Sequence, residues 1–207
     1  MRHLGKTPPF LGPHGEVVPG SIAEIAYRRL GGLDQWVMFR GESVANPPLV
    51  MLHGGPGLSE TGLFRHFNAP LEESFTVVYW DQRGAGKSFD RNVDRSSLTV
   101  EQLISDLDEL VDAVCARLGK TKVAIFGHSW GSALGPLYAA LPRKGHGVRR
   151  QRADRRLGSG RVGLVRVRAR RSAAPRQAAS GQEAARDRPA AAQRRELVDA
   201  AHGPVTA

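Results

Sequence analysis

The sequence predicts an α/β protein with a mostly parallel sheet flanked by helices, and three observations carry that expectation. Continuous apolar runs end in glycine-rich loops, a long amphipathic helix pattern separates two of them, and all 13 aromatic residues lie at or before Tyr138. A strand that is apolar throughout, rather than at alternate positions, belongs in a sheet covered on both faces. The 207 residues suit one domain or one and a fraction. With 41% hydrophobic residues the chain can bury a core.

Taken in order, residues 22–27 and 35–39 are short strand candidates separated by the Gly31-Gly32 turn. Pro48-Leu49-Val50-Met51-Leu52 is a buried strand that runs into His53-Gly54-Gly55-Pro56-Gly57. Phe75-Thr76-Val77-Val78-Tyr79-Trp80 repeats the pattern and ends at Asp81-Gln82-Arg83-Gly84. Thr99 with Gln102 makes a capping box for a helix that Gly119 ends. Within it Leu103, Leu107, Leu110, Val111, Val114 and Leu118 form one apolar face, with Glu101, Asp106, Asp108, Glu109 and Asp112 expected toward water. Cys115 borders that face and reads as a small core residue. Lys122-Val123-Ala124-Ile125-Phe126 is the next buried strand, and a helix over about 130–140 follows Gly127-His128-Ser129-Trp130-Gly131.

Gly-x-Ser-x-Gly directly after a strand and before a helix is the nucleophile-elbow pattern. The turn is so tight that the serine backbone is strained, and side chains two residues to either side would collide with neighbouring elements. Ser129 Oγ is thereby raised above the sheet, and the Trp130 amide, at a helix N-terminus, faces the point where negative charge develops. The Trp130 ring is expected to pack near the site. A second oxyanion donor comes from the loop after an earlier strand. In the 53–57 loop Gly55 N–H is the first choice and Gly54 N–H the second, since glycine lets a backbone approach a substrate oxygen closely. A cis bond at Pro56 would suit so tight a turn. His53 and His128 precede the serine, whereas the base of such a fold follows it, so neither is expected to be the base. Asp81 and Arg83 are expected to fix their loop by hydrogen bonds and a mutual ion pair.

His53-Gly54-Gly55-Pro56-Gly57, Trp80-Asp81-Gln82-Arg83-Gly84-Ala85-Gly86-Lys87-Ser88 and Gly127-His128-Ser129-Trp130-Gly131-Ser132 together resemble the proline iminopeptidase branch of the α/β-hydrolase fold, over roughly residues 15–142. The resemblance implies hydrolysis of an N-terminal proline, or of a related amide or ester, through an acyl-enzyme on Ser129. It implies no metal and no organic cofactor, and a small peptide, amide or ester as substrate. The branch usually has Gly-Gly-Ser-Trp-Gly at the elbow; His128 departs from this, which leaves the substrate open. In the family a cap domain supplies carboxylates for the substrate's free amine, and no cap is recognisable here.

The net charge of +10 divides unevenly. Residues 1–142 hold 13 Lys+Arg and 15 Asp+Glu, a net of −2, and residues 143–207 hold 17 and 5, a net of +12. The last 65 residues carry 16 Arg and 14 Ala but no Phe, Trp, Tyr, Ile, Met or Cys. They are expected to form a largely disordered basic tail on a truncated α/β-hydrolase core spanning residues 1–142. Low order is expected even over 161–171, where Val162, Leu164, Val165 and Val167 lie among basic residues. A triad acid and base are missing after Ser129. The remaining candidates, His146 and His202 with Asp154, Glu183, Asp187, Glu196 and Asp199, have no strand beside them or lie too near the serine. Without a base the hydroxyl is a poor nucleophile, so negligible turnover is expected.

The tail reads as an out-of-frame translation of a GC-rich gene from about residues 141–143 onward. With synonymous codons chosen freely and the frame moved one base, residues 143–151 permit Glu-Lys-Val-Thr-Ala-Tyr-Val-Gly, similar to the strand after the family's elbow helix. The same shift at 188–192 permits Gly-Pro-Pro-Pro, similar to part of its cap. Two other readings stand beside this one: a nucleic-acid-binding arm, disfavoured by dispersed arginines and the lack of stacking aromatics, and a non-catalytic binding module. One cysteine excludes a disulfide framework and multi-cysteine zinc sites. No run of about 18 apolar residues is present to span a membrane. The opening residues lead into Pro8-Pro9 rather than an apolar segment, so a cytoplasmic protein is expected. Half a sheet would also leave an apolar edge uncovered and stability marginal.

Overall fold

The computed structural model describes residues 4–140 and 162–168, the second stretch by its backbone and the side chain of Val167 alone. Six strands form one mixed sheet in the order β1-β2-β4-β3-β5-β6. β1 (Ile22–Leu30) and β2 (Leu33–Gly41) make an antiparallel hairpin whose last pair is Leu30 with Leu33. Its two central residues, Gly31 and Gly32, have φ of +52° and +78°, the positive values that a two-residue hairpin of right-handed twist requires. β3 (Pro48–Leu52), β4 (Thr76–Trp80) and β5 (Lys122–His128) run parallel at the centre, β3 between the other two. Every residue of β3 and β4 is buried, as continuous apolar strands demand.

Helices cover both faces. On one side α3 (Val100–Leu118) and α4 (Trp130–Ala140) pack on Val37, Val50, Val78, Trp80 and Ile125 through Leu107, Leu110, Val114, Leu134 and Tyr138. On the other, α1 (Thr61–Phe67) lays Phe64 against Trp36, Met51 and Tyr79, and the short α2 (Leu71–Ser74) leads into β4. α3 starts where Thr99 Oγ1 accepts the Gln102 N–H at 3.2 Å and ends at Gly119 in the left-handed region. Only half of the expected capping box forms, because the Gln102 side chain donates to Asp106 Oδ1 at 2.8 Å. Asp106 is fully buried, which corrects the expectation that it faces water. Cys115 is buried, as expected of a small core residue.

The expectation of low order does not hold over β6 (Val162–Arg168), which pairs antiparallel with β5 from Lys122↔Arg168 to His128↔Val162. The outer edge of β5 is therefore covered rather than open. The reason is physical. That edge presents a row of N–H and C=O groups, and an extended segment satisfies them while Val167, 3% exposed, joins the core beside α4. Pairing of a whole strand adds what four aliphatic side chains alone do not. The rest of the expected tail lies outside the described residues. Among the described residues no helix is long and apolar enough to cross a membrane.

Candidate active site

The elbow sits where β5 gives way to α4. Ser129 has φ of +50° and is, among the described residues, the one non-glycine with positive φ. A serine there is strained, and it stays so because its neighbours leave no alternative. A Cβ on Gly127 would overlap Gly131 O and lie 2.7 Å from Ser132 N; one on Gly131 would overlap Leu52 O and lie 2.8 Å from Leu52 Cβ. Both glycines are thus demanded by close backbone approach. Ser132 secures the first turn, its N–H and Oγ donating to Ser129 O at 3.0 and 2.6 Å. Ser129 itself is half-buried. Trp130 opens α4, which puts its amide at the helix start. Its ring packs against the larger core cluster.

The loop after β3 reaches the serine. A Cβ on Gly54 would stand 3.1 Å from Ser129 Cβ and 3.2 Å from Glu60 Oε1. Gly55 is exposed, and the Gly55-Pro56 peptide is cis. Gly54 N–H, the second choice of oxyanion donor, is engaged: it donates to Glu60 Oε2 at 2.7 Å. Both Glu60 oxygens also lie 3.0 Å from His128 Nδ1. The residues on either side of Glu60 tie the same loop to β4, since Ser59 Oγ and Thr61 Oγ1 both donate to Asp81 Oδ1, at 2.5 and 2.7 Å. Asp81 Oδ2 accepts the Lys87 N–H at 2.8 Å. Ser59, Glu60 and Thr61 thereby stitch together the loops that follow β3, β4 and β5. Sequence reasoning missed Glu60, whose partner His128 is 68 residues away. The available signal was a carboxylate between two hydroxyl side chains just past the glycine loop.

Asp81 holds its loop as expected, but the mutual ion pair with Arg83 does not form. Arg83 instead grips Asp106 with two bonds, Nε to Oδ2 at 2.8 Å and Nη2 to Oδ1 at 2.9 Å. The Asp81 side chain is already filled by two hydroxyls and an amide, while Arg83 turns to the opposite partner on α3. A cavity of about 470 Å³ lined by Lys6, Trp36, Asp81, Arg65 and Lys87 lies beside this loop, and Ser129 is not among its lining residues.

His53 is buried and sits between two backbone groups. Its Nδ1 is 2.8 Å from Gly54 O, and its Nε2 accepts the Gln82 N–H at 3.0 Å, so the ring is neutral with its proton on Nδ1. Burial pushes its pKa below the ordinary 6.5, against the pull of Gly54 O, Asp81 and Glu60. Between that lowered value and 6.5 the unfolded chain binds a proton that the folded chain refuses. Stability is therefore full above 6.5 and falls as pH drops toward the folded value. The thermal midpoint is expected to fall more steeply from about pH 6.5 to 5 in the wild type than in His53→Gln; equal slopes would remove His53 as the cause.

Among the described residues no group of three or more His, Cys, Asp or Glu is arranged to hold a metal. His146, His202, Asp154, Glu183, Asp187, Glu196 and Asp199 lie outside the described residues. What the described site offers is a hydroxyl on a strained turn, backbone amides at two loop ends, and a part-buried carboxylate–imidazole contact between them.

That fold and that turn define an α/β hydrolase, and the chain belongs to the α/β-hydrolase fold family, which its sequence matches over residues 47–150. It is similar to the probable aminopeptidase YbaC of Bacillus subtilis, 41% identical over 114 residues, which cover 55% of this chain and 36% of the relative. A proline iminopeptidase of Xanthomonas citri is 38% identical over 104 residues, covering 49% and 31%. The crystal structure of a proline iminopeptidase-related protein from Thermus thermophilus aligns with a TM-score of 0.49 at 32% identity, covering 56% of this chain and 40% of that one. The chain thus spans about a third of the length of the curated relatives it matches.

Proposed function

We propose that the protein is a serine hydrolase of the proline iminopeptidase type, whose chemistry is release of an N-terminal proline or cleavage of a related amide or ester through an acyl-enzyme on Ser129, and that this chain carries the nucleophile without the partners that turnover needs. Ser129 Oγ attacks the carbonyl carbon while the N–H groups of Gly55 and Trp130 hold the oxygen as its charge develops. The observation that carries the reading is the φ of +50° at Ser129, between two glycines that admit no side chain. Strain of this kind serves no packing purpose and collects at functional groups. The names of the relatives, an aminopeptidase and a proline iminopeptidase, favour prolyl peptides as the substrate class.

A working triad also needs a carboxylate and an imidazole after the serine, and residues 130–140 contain neither. In our reading this 207-residue chain lacks them, its sequence from about 141–143 onward being out of frame, and turnover is negligible. A site short of a triad member retains about 10³–10⁴-fold over water from its oxyanion donors and binding alone. The test uses prolyl p-nitroanilide and the p-nitrophenyl ester of proline. From the ester we expect one acyl mass on the peptide containing Ser129, absent in Ser129→Ala, and from the anilide no sustained release. An acyl mass that persists in Ser129→Ala would remove the serine from the mechanism. Sustained release that Ser129→Ala abolishes would keep the serine and refute the inactivity. Sequencing across codon 142 tests the frame; an uninterrupted frame shared by close relatives would defeat it.

A further inference from the structure

Hydrolysis at Ser129 requires that the loop carrying Gly55 and the elbow carrying Ser129 stand at a fixed separation. We propose that Glu60 is the positioning residue that sets this separation, an inference that rests on the serine-hydrolase reading above. Glu60 occupies the N-cap of α1, where a carboxylate ordinarily accepts an N–H of the first turn, yet its side chain makes no capping bond. It turns inward instead. Oε2 takes the Gly54 N–H at 2.7 Å, and both oxygens meet His128 Nδ1 at 3.0 Å. Gly54 immediately precedes Gly55, and His128 immediately precedes Ser129. One buried carboxylate therefore holds the residue before each of the two groups that must act on the same carbonyl.

The loop needs such a grip from outside. Gly54, Gly55, Pro56 and Gly57 carry no polar side chain, so nothing of their own fixes where the Gly55 N–H points. The side chains that grip the Gly54 peptide are His53, on its carbonyl, and Glu60, on the N–H. Glu60 is in turn held from both sides, because Ser59 and Thr61 are anchored on Asp81. A charge-assisted bond of 2.7 Å is short and strong. A donor fixed in advance needs no reorganisation when the oxyanion forms, whereas a loosened one does. Loss of the carboxylate would also leave the buried Gly54 N–H without its partner.

The test separates reach from charge. Glu60→Gln keeps the reach: its amide oxygen accepts from Gly54, and its NH₂ faces His128. Glu60→Asp keeps the charge but is one methylene shorter, and Glu60→Ala keeps neither. The probe is pyrrolidin-2-ylboronic acid added to the full-length chain, with ¹¹B NMR reporting the tetrahedral adduct on Ser129 and Ser129→Ala as control. Adduct affinity is expected to fall at least about tenfold in Glu60→Ala and Glu60→Asp and to stay within about threefold of wild type in Glu60→Gln. Should Glu60→Ala fail to fold, the Asp and Gln variants decide between them. Wild-type affinity in Glu60→Asp, or affinity in Glu60→Gln as weak as in Glu60→Asp, overturns the positioning role and leaves the hydrolase reading intact. A wild-type chain that forms no adduct overturns this inference, while the acyl mass on the Ser129 peptide from the proline ester tests the hydrolase reading separately.

Discussion

Gly131→Ala is expected to unseat the elbow helix and lower the stability of the fold by about 3 kcal/mol. The new Cβ would overlap the carbonyl oxygen of Leu52 and lie 2.7 Å from its carbon, so the obstacle is backbone rather than a side chain that can swing aside. Leu52 is the last residue of β3, the central strand of the parallel trio, and it is fully buried. It has nowhere to retreat. Relief must come from α4, which would have to lift about 1 Å from the sheet and loosen interdigitated side chains. Leu134 and Tyr138, both fully buried on that helix, lose contact when it moves. Gly62→Ala is the control. That residue lies in α1 with nothing within 4 Å of its Cβ position, and alanine there is expected to add about 0.4–1 kcal/mol by restricting the unfolded chain. Denaturant titration of both variants reads the difference. Equal midpoints would mean that α4 does not sit on β3 as described.

The glycine that makes this prediction sharp was also the most legible part of the sequence. Gly127, Ser129 and Gly131 are local: a strand that must turn into a helix within one residue has few solutions, and the pattern names one of them. The hairpin at Gly31-Gly32, the fully buried β3 and β4 and the capped α3 were legible for the same reason, since each follows from periodicity or turn chemistry within a short window. What was not legible depended on partners far apart in the chain. Asp106 lies on what the helical pattern assigned as the polar side of α3, yet it is buried, because Gln35 from β2 and Arg83 from the loop after β4 converge on it. Glu60 looked like an ordinary acidic residue at the start of a helix, and its meaning comes from His128 across the sheet. β6 was hidden in another way. Its composition says little, and the force that orders it is the unpaired edge of β5, a property of the neighbour rather than of the segment.

The second large effect is expected at the buried pair that joins the loop after β4 to α3. Asp106→Leu should cost about 3–5 kcal/mol, because removal of one member leaves Arg83 charged and uncompensated in the interior. Arg83 is 2% and Asp106 0% exposed at the side chain, so water cannot take over. The carboxylate is also the meeting point of Gln35 Nε2 at 2.6 Å and Gln102 Nε2 at 2.8 Å, and Gln35 Oε1 in turn accepts the Trp80 indole N–H at 2.9 Å. Arg83 Nη2 further donates to Gly31 O at 2.7 Å, which fastens the β1–β2 hairpin to the same centre. Arg83→Met alone should be nearly as damaging, since it leaves Asp106 without its cation. The pair joined as Arg83→Met with Asp106→Leu is expected to recover much of the loss, because two apolar groups of similar volume need no counter-charge. Denaturation of the two single variants and the double variant forms a thermodynamic cycle. A double variant as unstable as the sum of the two single losses would mean that the network acts through each residue separately, and the pair would then not be the tie between β4 and α3. Recovery would mean that what the loop requires from this position is filled volume and neutrality, not the charges themselves.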